Sequence, residues 1–514
     1  MLKTNAKVLH KNLRLSNPSI RAKLNTGQVN YMIKKYYIKT YGCQMNYSDS
    51  ERIAGMLKNM KIKEALDIKE ANLVIINTCG VRQMAEDRVY GLIHNIRRQG
   101  TRDKRQVKII MTGCLANRKD VIRRMKSKVD LFCEIKEVET LKNFVIKELK
   151  HSLKIQSASR RTKFKISEYL SIAPNYENKF SAYVPVMTGC NNFCSYCVVP
   201  YARGREISRK ASEIVAEIKT LLKKGYQEIT LLGQNVNSYC DNTVIASEAK
   251  QSQRLPRRHA PRKDINFADL LKIINKIPGN FWIRFLTSHP KDMSDELIET
   301  IAKSKKVCEY VHLPIQAGDD KILEKMNRKY SAKHYLNLVA KIKKAFAKYK
   351  PKEIYSLNGD IIVGFPGETK KQFLQSAEIM KKVGYDMIFF GQFSPRPGTV
   401  AFKMKNNVSK AEKVRREKFL NEILKKTAYQ NNQSYLNKTI EVLIDSYKPS
   451  PISKGRAGEG SYFGRTRTMK NVKISIPTQN LPFPRGGIKG GILGKIIKAK
   501  ITKANIWNLE AEIK

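Results

Sequence analysis

The chain has 514 residues, with 98 Lys and Arg against 45 Asp and Glu, a formal charge of +53 and 41% hydrophobic residues. That length exceeds what one hydrophobic core supports, so two or three domains are expected, and a charge far beyond what solubility needs points to a polyanionic partner, nucleic acid first. No stretch approaches the roughly 20 apolar residues that span a bilayer, no secretory core opens the chain, and nine cysteines form no disulfide-like framework. A cytoplasmic protein with free thiols and no membrane partner is expected.

Residues 1–32 are basic, polar and aperiodic and read as an extension, disordered or mis-started. From 33 to 150 the apolar runs Tyr36–Thr40, Leu73–Thr78, Val107–Thr112 and the shorter Val129–Phe132 alternate with helical patterns. The alternation predicts a doubly wound α/β domain on one parallel sheet. A cysteine follows each of the first three runs: Cys43 in Tyr41-Gly-Cys-Gln-Met-Asn46, Cys79 after Asn77-Thr78, and Cys114 after Thr112-Gly113. Such folds gather ligands in loops beyond the carboxyl ends of strands, so the three thiols are expected to converge on one edge and hold a cluster. The plainer alternative is three buried free cysteines acting as small hydrophobes.

Residues 151–179 begin polar and aperiodic and read as a linker. Next comes Gly189-Cys-Asn-Asn-Phe-Cys-Ser-Tyr-Cys-Val198, placing Cys190, Cys194 and Cys197 in a CxxxCxxC triplet. Three thiolates suit three corners of an iron-sulfur cubane and leave the fourth iron without a protein ligand, as in metal sites that react rather than merely brace a fold. From 180 to 420 six strand candidates recur: Tyr183–Met187, Ile229–Leu232, Trp282–Leu286, Tyr310–Ile315, Asp360–Val363 and Met387–Phe390. With helical faces at Ile214, Val215, Ile218, Leu221 and Leu222, and at Phe373, Leu374, Ala377 and Met380, they predict a partial (β/α)6 barrel with its active site at the strands' carboxyl ends.

Residues 243–262, rich in arginine near prolines, read as a surface insertion. Gly364 and Gly367 bracket Phe365-Pro366 ahead of Glu368, a turn that permits close backbone approach. His312 reads as a satisfied core histidine, and Cys133, Cys240 and Cys308 as unligated. From 436 to 514 the runs Thr439–Ile444, Val472–Ile476 and Lys495–Ile501 predict a small β-barrel, interrupted by loops at 448–460 and 480–494.

These motifs resemble the methylthiotransferase family of radical S-adenosylmethionine enzymes over about residues 33 to 510. Besides the cysteine segments, the carriers are Val199-Pro-Tyr-Ala-Arg-Gly-Arg-Glu206, Leu232-Gly-Gln-Asn-Val-Asn-Ser-Tyr239, His312-Leu-Pro-Ile-Gln316, Met326-Asn-Arg328, Ile362-Val-Gly-Phe-Pro-Gly-Glu-Thr369 and Ser394-Pro-Arg-Pro-Gly-Thr399. The resemblance implies a radical-SAM core, a C-terminal TRAM-like barrel and two 4Fe-4S clusters. Cys190, Cys194 and Cys197 would hold the cluster whose open iron binds S-adenosylmethionine and whose electron cleaves its sulfonium bond. Cys43, Cys79 and Cys114 would hold an auxiliary cluster that presents or supplies sulfur.

It further implies that Gly364, Phe365, Pro366, Gly367, Glu368 and Gln316 line the cofactor pocket and that Arg465 and Arg467, in Phe463-Gly-Arg-Thr-Arg467, contact RNA. No catalytic acid or base is assigned. The activity implied is methylthio insertion at C2 of N6-isopentenyladenosine at tRNA position 37, by a monomer that takes the anticodon stem-loop, an electron donor and a sulfur source as partners. Unpaired bases of such a loop can be splayed into a pocket. The alternatives are a sister enzyme acting on threonylcarbamoyladenosine or a ribosomal-protein aspartate, and a non-catalytic iron-sulfur protein that binds RNA or senses redox state.

Overall fold

The computed structural model describes residues 33–80, 83–102, 106–150, 166–242, 264–449, 460–475 and 491–513. The N-terminal extension, the insertion at 243–262 and most of the two interruptions of the C-terminal barrel lie outside the described residues.

Strands β1 (Lys35–Thr40), β2 (Lys63–Glu64), β3 (Leu73–Thr78), β4 (Lys108–Gly113) and β5 (Leu131–Phe132) form a parallel sheet in the order β2-β1-β3-β4-β5. The period of two decides which face each side chain meets. Leu73 and Ile75 of β3 pack with α1 (Gln44–Asn59), while Val74 and Ile76 pack against α2 (Gln83–Arg102) and α3 (Lys119–Met125). The first face is completed by α4 (Val138–Lys150) and by α5 (Ile166–Ser171). Here the linker expectation needs correction: Tyr169 and Leu170 are each 1% exposed and belong to this core. Helices cover both faces, which is why all six residues of β3 are apolar or, like Asn77 and Thr78, buried and hydrogen-bonded. The chain runs from β1 out to β2 and returns to β3, so the winding direction reverses between β1 and β3, the place where doubly wound sheets open a crevice.

In the core, β6 (Ser181–Pro185) leads into a short antiparallel pair, β7 (Met187–Thr188) and β8 (Ile207–Ser208), with α6 (Val199–Arg203) between them; α7 (Ala211–Lys223) then runs to β9 (Glu228–Leu232). After a second short pair, β10 (Cys240–Asp241) and β11 (Ile265–Asn266), come β12 (Trp282–Phe285), β13 (Tyr310–His312), β14 (Ser356–Val363) and β15 (Met387–Gln392). The six main strands form two parallel three-stranded sheets, β12-β9-β6 and β13-β14-β15, joined where Ile283 of β12 bridges Val307. All six anticipated strands are present and make an open arc rather than a closed barrel. Ile214, Ile218, Leu221, Phe373, Ala377 and Met380 fill the space between helices and strands, whereas Leu374, expected on the same face, is 39% exposed.

The C-terminal unit is a closed barrel in the order β16-β17-β18-β20-β19, from β16 (Thr439–Pro449), β17 (Gly460–Thr466), β18 (Asn471–Ser475), β19 (Ile496–Ala504) and β20 (Asn508–Ile513). The expectation of three strands missed β17 and β20. It also assigned Lys448 and Pro449 to a loop, where they continue β16 and pair with Ser461 and Gly460. The turn after β17 plugs the amino-terminal end of the core arc: Arg284 Nη2 donates to the Thr466 carbonyl at 2.7 Å, Ser356 Oγ donates to the Thr468 carbonyl at 2.9 Å, and Lys470 pairs with Asp386 at 2.8 Å. The carboxyl ends of the core strands therefore stay clear of the barrel. Among the described residues no helix is long and apolar enough to cross a membrane.

Candidate active site

Two cysteine triads meet where the N-terminal sheet and the core arc present their carboxyl ends to one another. Cys43 is the N-cap of α1, Cys79 follows β3, and Cys114 follows β4. Their loops are tied together: the Cys114 amide donates to the Thr78 carbonyl at 2.8 Å and the Tyr41 amide to the Asn77 carbonyl at 2.8 Å. A methyl group added at Gly80, beside Cys79, would stand 3.3 Å from Cys114 Cβ and 3.3 Å from Val198 Cγ2. That last approach brings the residue after Cys197 against the first triad. Asn117 Nδ2 adds a bond across the seam to the Tyr201 carbonyl at 3.0 Å.

The CxxxCxxC loop starts from Gly189 at φ +83, where a Cβ would meet the Arg205 carbonyl oxygen at 2.0 Å, so only glycine fits. The segment Met326-Asn-Arg328 fixes the rest of the loop. Ser195 N donates to the Met326 carbonyl at 3.0 Å, Asn327 Nδ2 donates to the Phe193 carbonyl at 2.9 Å, and Arg328 Nη1 donates to Cys194 Sγ at 3.3 Å. Arg328 is 8% exposed, and its remaining donors reach the Tyr330 hydroxyl and the Pro314 carbonyl. The motif carried the resemblance, yet sequence reading gave it no role. The signal available was a buried-type segment ending in arginine, a residue that seldom goes inside unpaired.

Burial pushes the Cys197 thiol up to about 12, with the neighbouring Cys194 adding to the rise, and burial likewise raises Cys190 and Cys114. Thiols so raised keep their protons unless a metal takes the protons' place, and the donor set of three thiols in each triad suits soft iron rather than a hard ion. No three His, Cys, Asp or Glu side chains among the described residues close on a single metal ion. A cubane carries its irons at separate corners and takes its thiolates further apart than one ion does, so a cluster does not require the three thiols to close on one point. Of the cysteines read as unligated, Cys133 is 1% exposed with Sγ donating to the Glu137 carbonyl at 3.1 Å, and Cys308 packs with Trp282 and Leu443.

Around the arc's open end lies a set of buried polar atoms with no hydrogen-bond partner among the described residues: Gln234 Oε1, Asn235 Oδ1, Asn237 Oδ1, Ser288 Oγ, His289 Nε2 and His312 Nδ1. Orphans this dense mark a place that a polar ligand completes. His312 is half satisfied rather than wholly so, its Nε2 lying 3.3 Å from Asp360 Oδ2. Gln316 holds φ +72 while its backbone bridges Ile361, a strained conformation for a residue with a side chain.

Gly364 and Gly367 take φ +70 and +78, and a Cβ on Gly364 would meet Lys413 Cγ at 2.4 Å. Two neighbours in that turn differ from expectation. Phe365 is fully buried and packs edge-on against Tyr196 of the CxxxCxxC loop, ring centroids 6.5 Å apart. Glu368 accepts from Gly364 N at 2.8 Å and pairs with Arg416 at 2.8 Å, so its carboxylate closes the turn instead of facing a cofactor. Pro366 is buried with them.

Arg465 and Arg467 also need correction as RNA contacts. Arg467 pairs with Glu309 at 2.7 Å and donates to the Val307 carbonyl at 2.9 Å; Arg465 pairs with Asp445 at 3.1 Å and lies 3.5 Å from Glu228. Both bind the C-terminal barrel to the core. The exposed lysines Lys473, Lys498 and Lys500 stand on β18 and β19 instead.

Residues 184–398 match the Radical SAM superfamily model, and residues 35–134 match the model of Uncharacterized protein family UPF0004. A tRNA-2-methylthio-N(6)-dimethylallyladenosine synthase of Clostridium botulinum strain Hall is 39% identical over 496 residues, 95% of this chain and 99% of that protein. One from Thermoanaerobacter pseudethanolicus is 37% identical over 481 residues, 93% of this chain and 92% of its own. Among solved structures, a radical S-adenosylmethionine methyltransferase from Kitasatospora setae with cobalamin and a [4Fe-4S] cluster bound is 13% identical, overlapping 72% of this chain and 77% of that one at a TM-score of 0.48. With both domain models in place and near-complete overlap with these relatives, the chain belongs to the tRNA-2-methylthio-N(6)-dimethylallyladenosine synthase family of radical S-adenosylmethionine enzymes.

Proposed function

We propose that this protein is a tRNA methylthiotransferase that replaces the C2 hydrogen of N6-isopentenyladenosine, at tRNA position 37, with a methylthio group. The observation that carries the reading is the meeting of two cysteine triads across the domain seam, Cys190, Cys194 and Cys197 facing Cys43, Cys79 and Cys114, beside a cradle of unpaired polar atoms. An adenine C2–H bond is neither acidic nor joined to a leaving group, so side-chain acid–base chemistry has no purchase on it. S-adenosylmethionine bound at the first cluster supplies the radical chemistry that such a bond requires.

The residues of this chain hold and exclude. Met326, Asn327 and Arg328 keep the first triad in one conformation, and the glycines of the 364–367 turn let the backbone approach the cofactor. The orphaned atoms of Gln234, Asn235, Asn237, Ser288 and His289 are placed to accept or donate to cofactor and base. His289 is held neutral, its basicity lowered to about 2 chiefly by burial, with the Arg328 charge beside it adding to the effect. A neutral ring there neither protonates a substrate nitrogen nor repels the sulfonium. Lys473, Lys498 and Lys500 offer phosphate contacts that position the stem-loop without reading sequence. An external reductant and a sulfur source complete the partners of a monomer.

The test is nucleoside mass spectrometry of tRNA from cells with and without the gene. Loss of 2-methylthio-N6-isopentenyladenosine, with N6-isopentenyladenosine accumulating, is the expected result. An unchanged isopentenyl pair with loss of a methylthio-threonylcarbamoyl nucleoside would move the protein to a sister activity, and no change in either would end the reading of tRNA as substrate.

A further inference from the structure

The auxiliary triad sits on the N-terminal domain, yet the cations that face it come from the core. Arg203, the last residue of α6, crosses the seam to pair with Asp49 of α1 at 2.6 Å. Both are buried, at 4% and 0% exposure. The other oxygen of Asp49 accepts from the Tyr169 hydroxyl, so the carboxylate grips the guanidinium through Nη2 alone. Nη1 is buried and has no hydrogen-bond partner among the described residues. The charge of Arg203 acts on Cys114 and Cys43. Arg396, from the stretch after β15, is anchored by Gln83 at 3.0 Å and Glu86 at 3.5 Å, and its charge acts on Cys79.

Arginine–carboxylate pairs are frequently bidentate, and here Tyr169 takes the oxygen that a second guanidinium nitrogen would use. Nη1 is left without an acceptor in a segment that follows Val198, the residue packed against the loops of Cys79 and Cys114, and a sulfur is an acceptor that such a donor could take. Hydrogen bonds to cluster sulfurs and nearby charge are what set the potentials of such centres.

We propose that Arg203, with Arg396 beside it, tunes the reduction potential of a cluster held by Cys43, Cys79 and Cys114, its Nη1–H donating to a sulfur and its charge favouring the reduced state. The inference rests on the reading of those cysteines as ligands. The couple is the addition of one electron from an external reductant, with no bond made or broken. Arg203 is a tuning residue, oriented by Asp49, which opposes it electrostatically. The auxiliary centre therefore reaches its working potential only when the two domains are docked.

The test uses the full chain with Cys190, Cys194 and Cys197 replaced by alanine, reconstituted with iron and sulfide and titrated with dithionite under electron paramagnetic resonance. Iron near four per chain in this background is expected, since one cubane remains; no iron there would sink the ligand reading itself. Arg203→Gln is expected to move the midpoint to more negative potential, Arg203→Lys to move it less, and Asp49→Asn to move it to more positive potential by releasing the cation from its counter-charge. Four irons with an unmoved midpoint in Arg203→Gln and Asp49→Asn overturns the inference. Should Arg203→Gln fail to hold the cluster, Asp49→Asn decides alone, and a midpoint unmoved or lowered there overturns it. Loss of iron in both variants, with the fold retained by circular dichroism, also overturns it, leaving the pair a structural brace.

Discussion

Asn46 and Asn77 clasp each other across the switch point of the N-terminal sheet: Asn46 Nδ2 donates to Asn77 Oδ1 at 2.9 Å, and Asn77 Nδ2 donates to the Asn46 carbonyl at 2.8 Å. Both are fully buried. Asn46 Oδ1 also accepts from Cys43 N at 3.2 Å, so the pair ties the loop of Cys43 to the strand that delivers Cys79. Asn77→Ala would leave the Asn46 amide short of a partner at a cost of about 1–3 kcal/mol. Iron in the reconstituted protein is then expected to fall from about eight toward four per chain, the first cluster surviving. Iron assay with and without the Cys190, Cys194 and Cys197 alanine background identifies which centre is lost.

Arg328→Lys tests the opposite centre. Lysine keeps the charge but lacks the planar fork that reaches Cys194 Sγ, the Tyr330 hydroxyl and the Pro314 carbonyl together. The expected result is a weakened or altered spectroscopic response of the first cluster to S-adenosylmethionine, with the auxiliary signal unchanged. If the response to S-adenosylmethionine stays intact, Arg328 is not what orients Cys194.

Much of this was legible in sequence because it depends on local pattern. The strands beneath all six cysteines announce themselves as short apolar runs with a turn residue at the end, and the CxxxCxxC spacing survives any uncertainty about the fold around it. What was not legible depends on docking. In α1, Asp49, Glu51 and Arg52 look like a solvated face, and all three are buried because the helix lies between two domains. Arg467 looks like part of an RNA footprint, and it meets Glu309, more than 150 residues away in sequence. Strands β17 and β20 carry glycine, asparagine and charged residues that only closure of the barrel makes into strands.

The seam between barrel and core gives a prediction that separates structure from RNA binding. Glu309 is 3% exposed and takes Arg467 at 2.7 Å and Lys350 at 2.5 Å, and these cations hold its carboxyl below the ordinary range despite burial. Arg467→Ala removes one of two cations from a buried carboxylate that keeps Lys350, a loss of charged hydrogen bonding of about 1.5–3 kcal/mol. A lower thermal midpoint is expected, with the salt dependence of tRNA binding unaltered below it. Lys498→Ala with Lys500→Ala should do the reverse, leaving the midpoint in place and reducing the slope of log affinity against log salt by about one for each phosphate that is no longer neutralised. Equal salt slopes in both variants would remove the barrel's lysine face from the RNA footprint.

Glu51 supplies the pH test. It lies in α1 at the seam, where Glu177 N donates to Oε1 at 3.3 Å, while Oε2 is buried with no hydrogen-bond partner among the described residues. Burial lifts its carboxyl from 4.5 to about 7. Between those values the folded chain keeps a proton that the unfolded chain has released, so this group's contribution to stability declines as pH rises from 4.5 and is fully unfavourable above 7. Glu51→Gln removes the titration. Relative to the parent, the variant should gain on the order of 2 kcal/mol more at pH 8 than at pH 5, measured from urea midpoints of the N-terminal unfolding step. An equal difference at the two pH values would mean that Glu51 ionises in the folded protein as it does in water, and that the seam around it admits solvent.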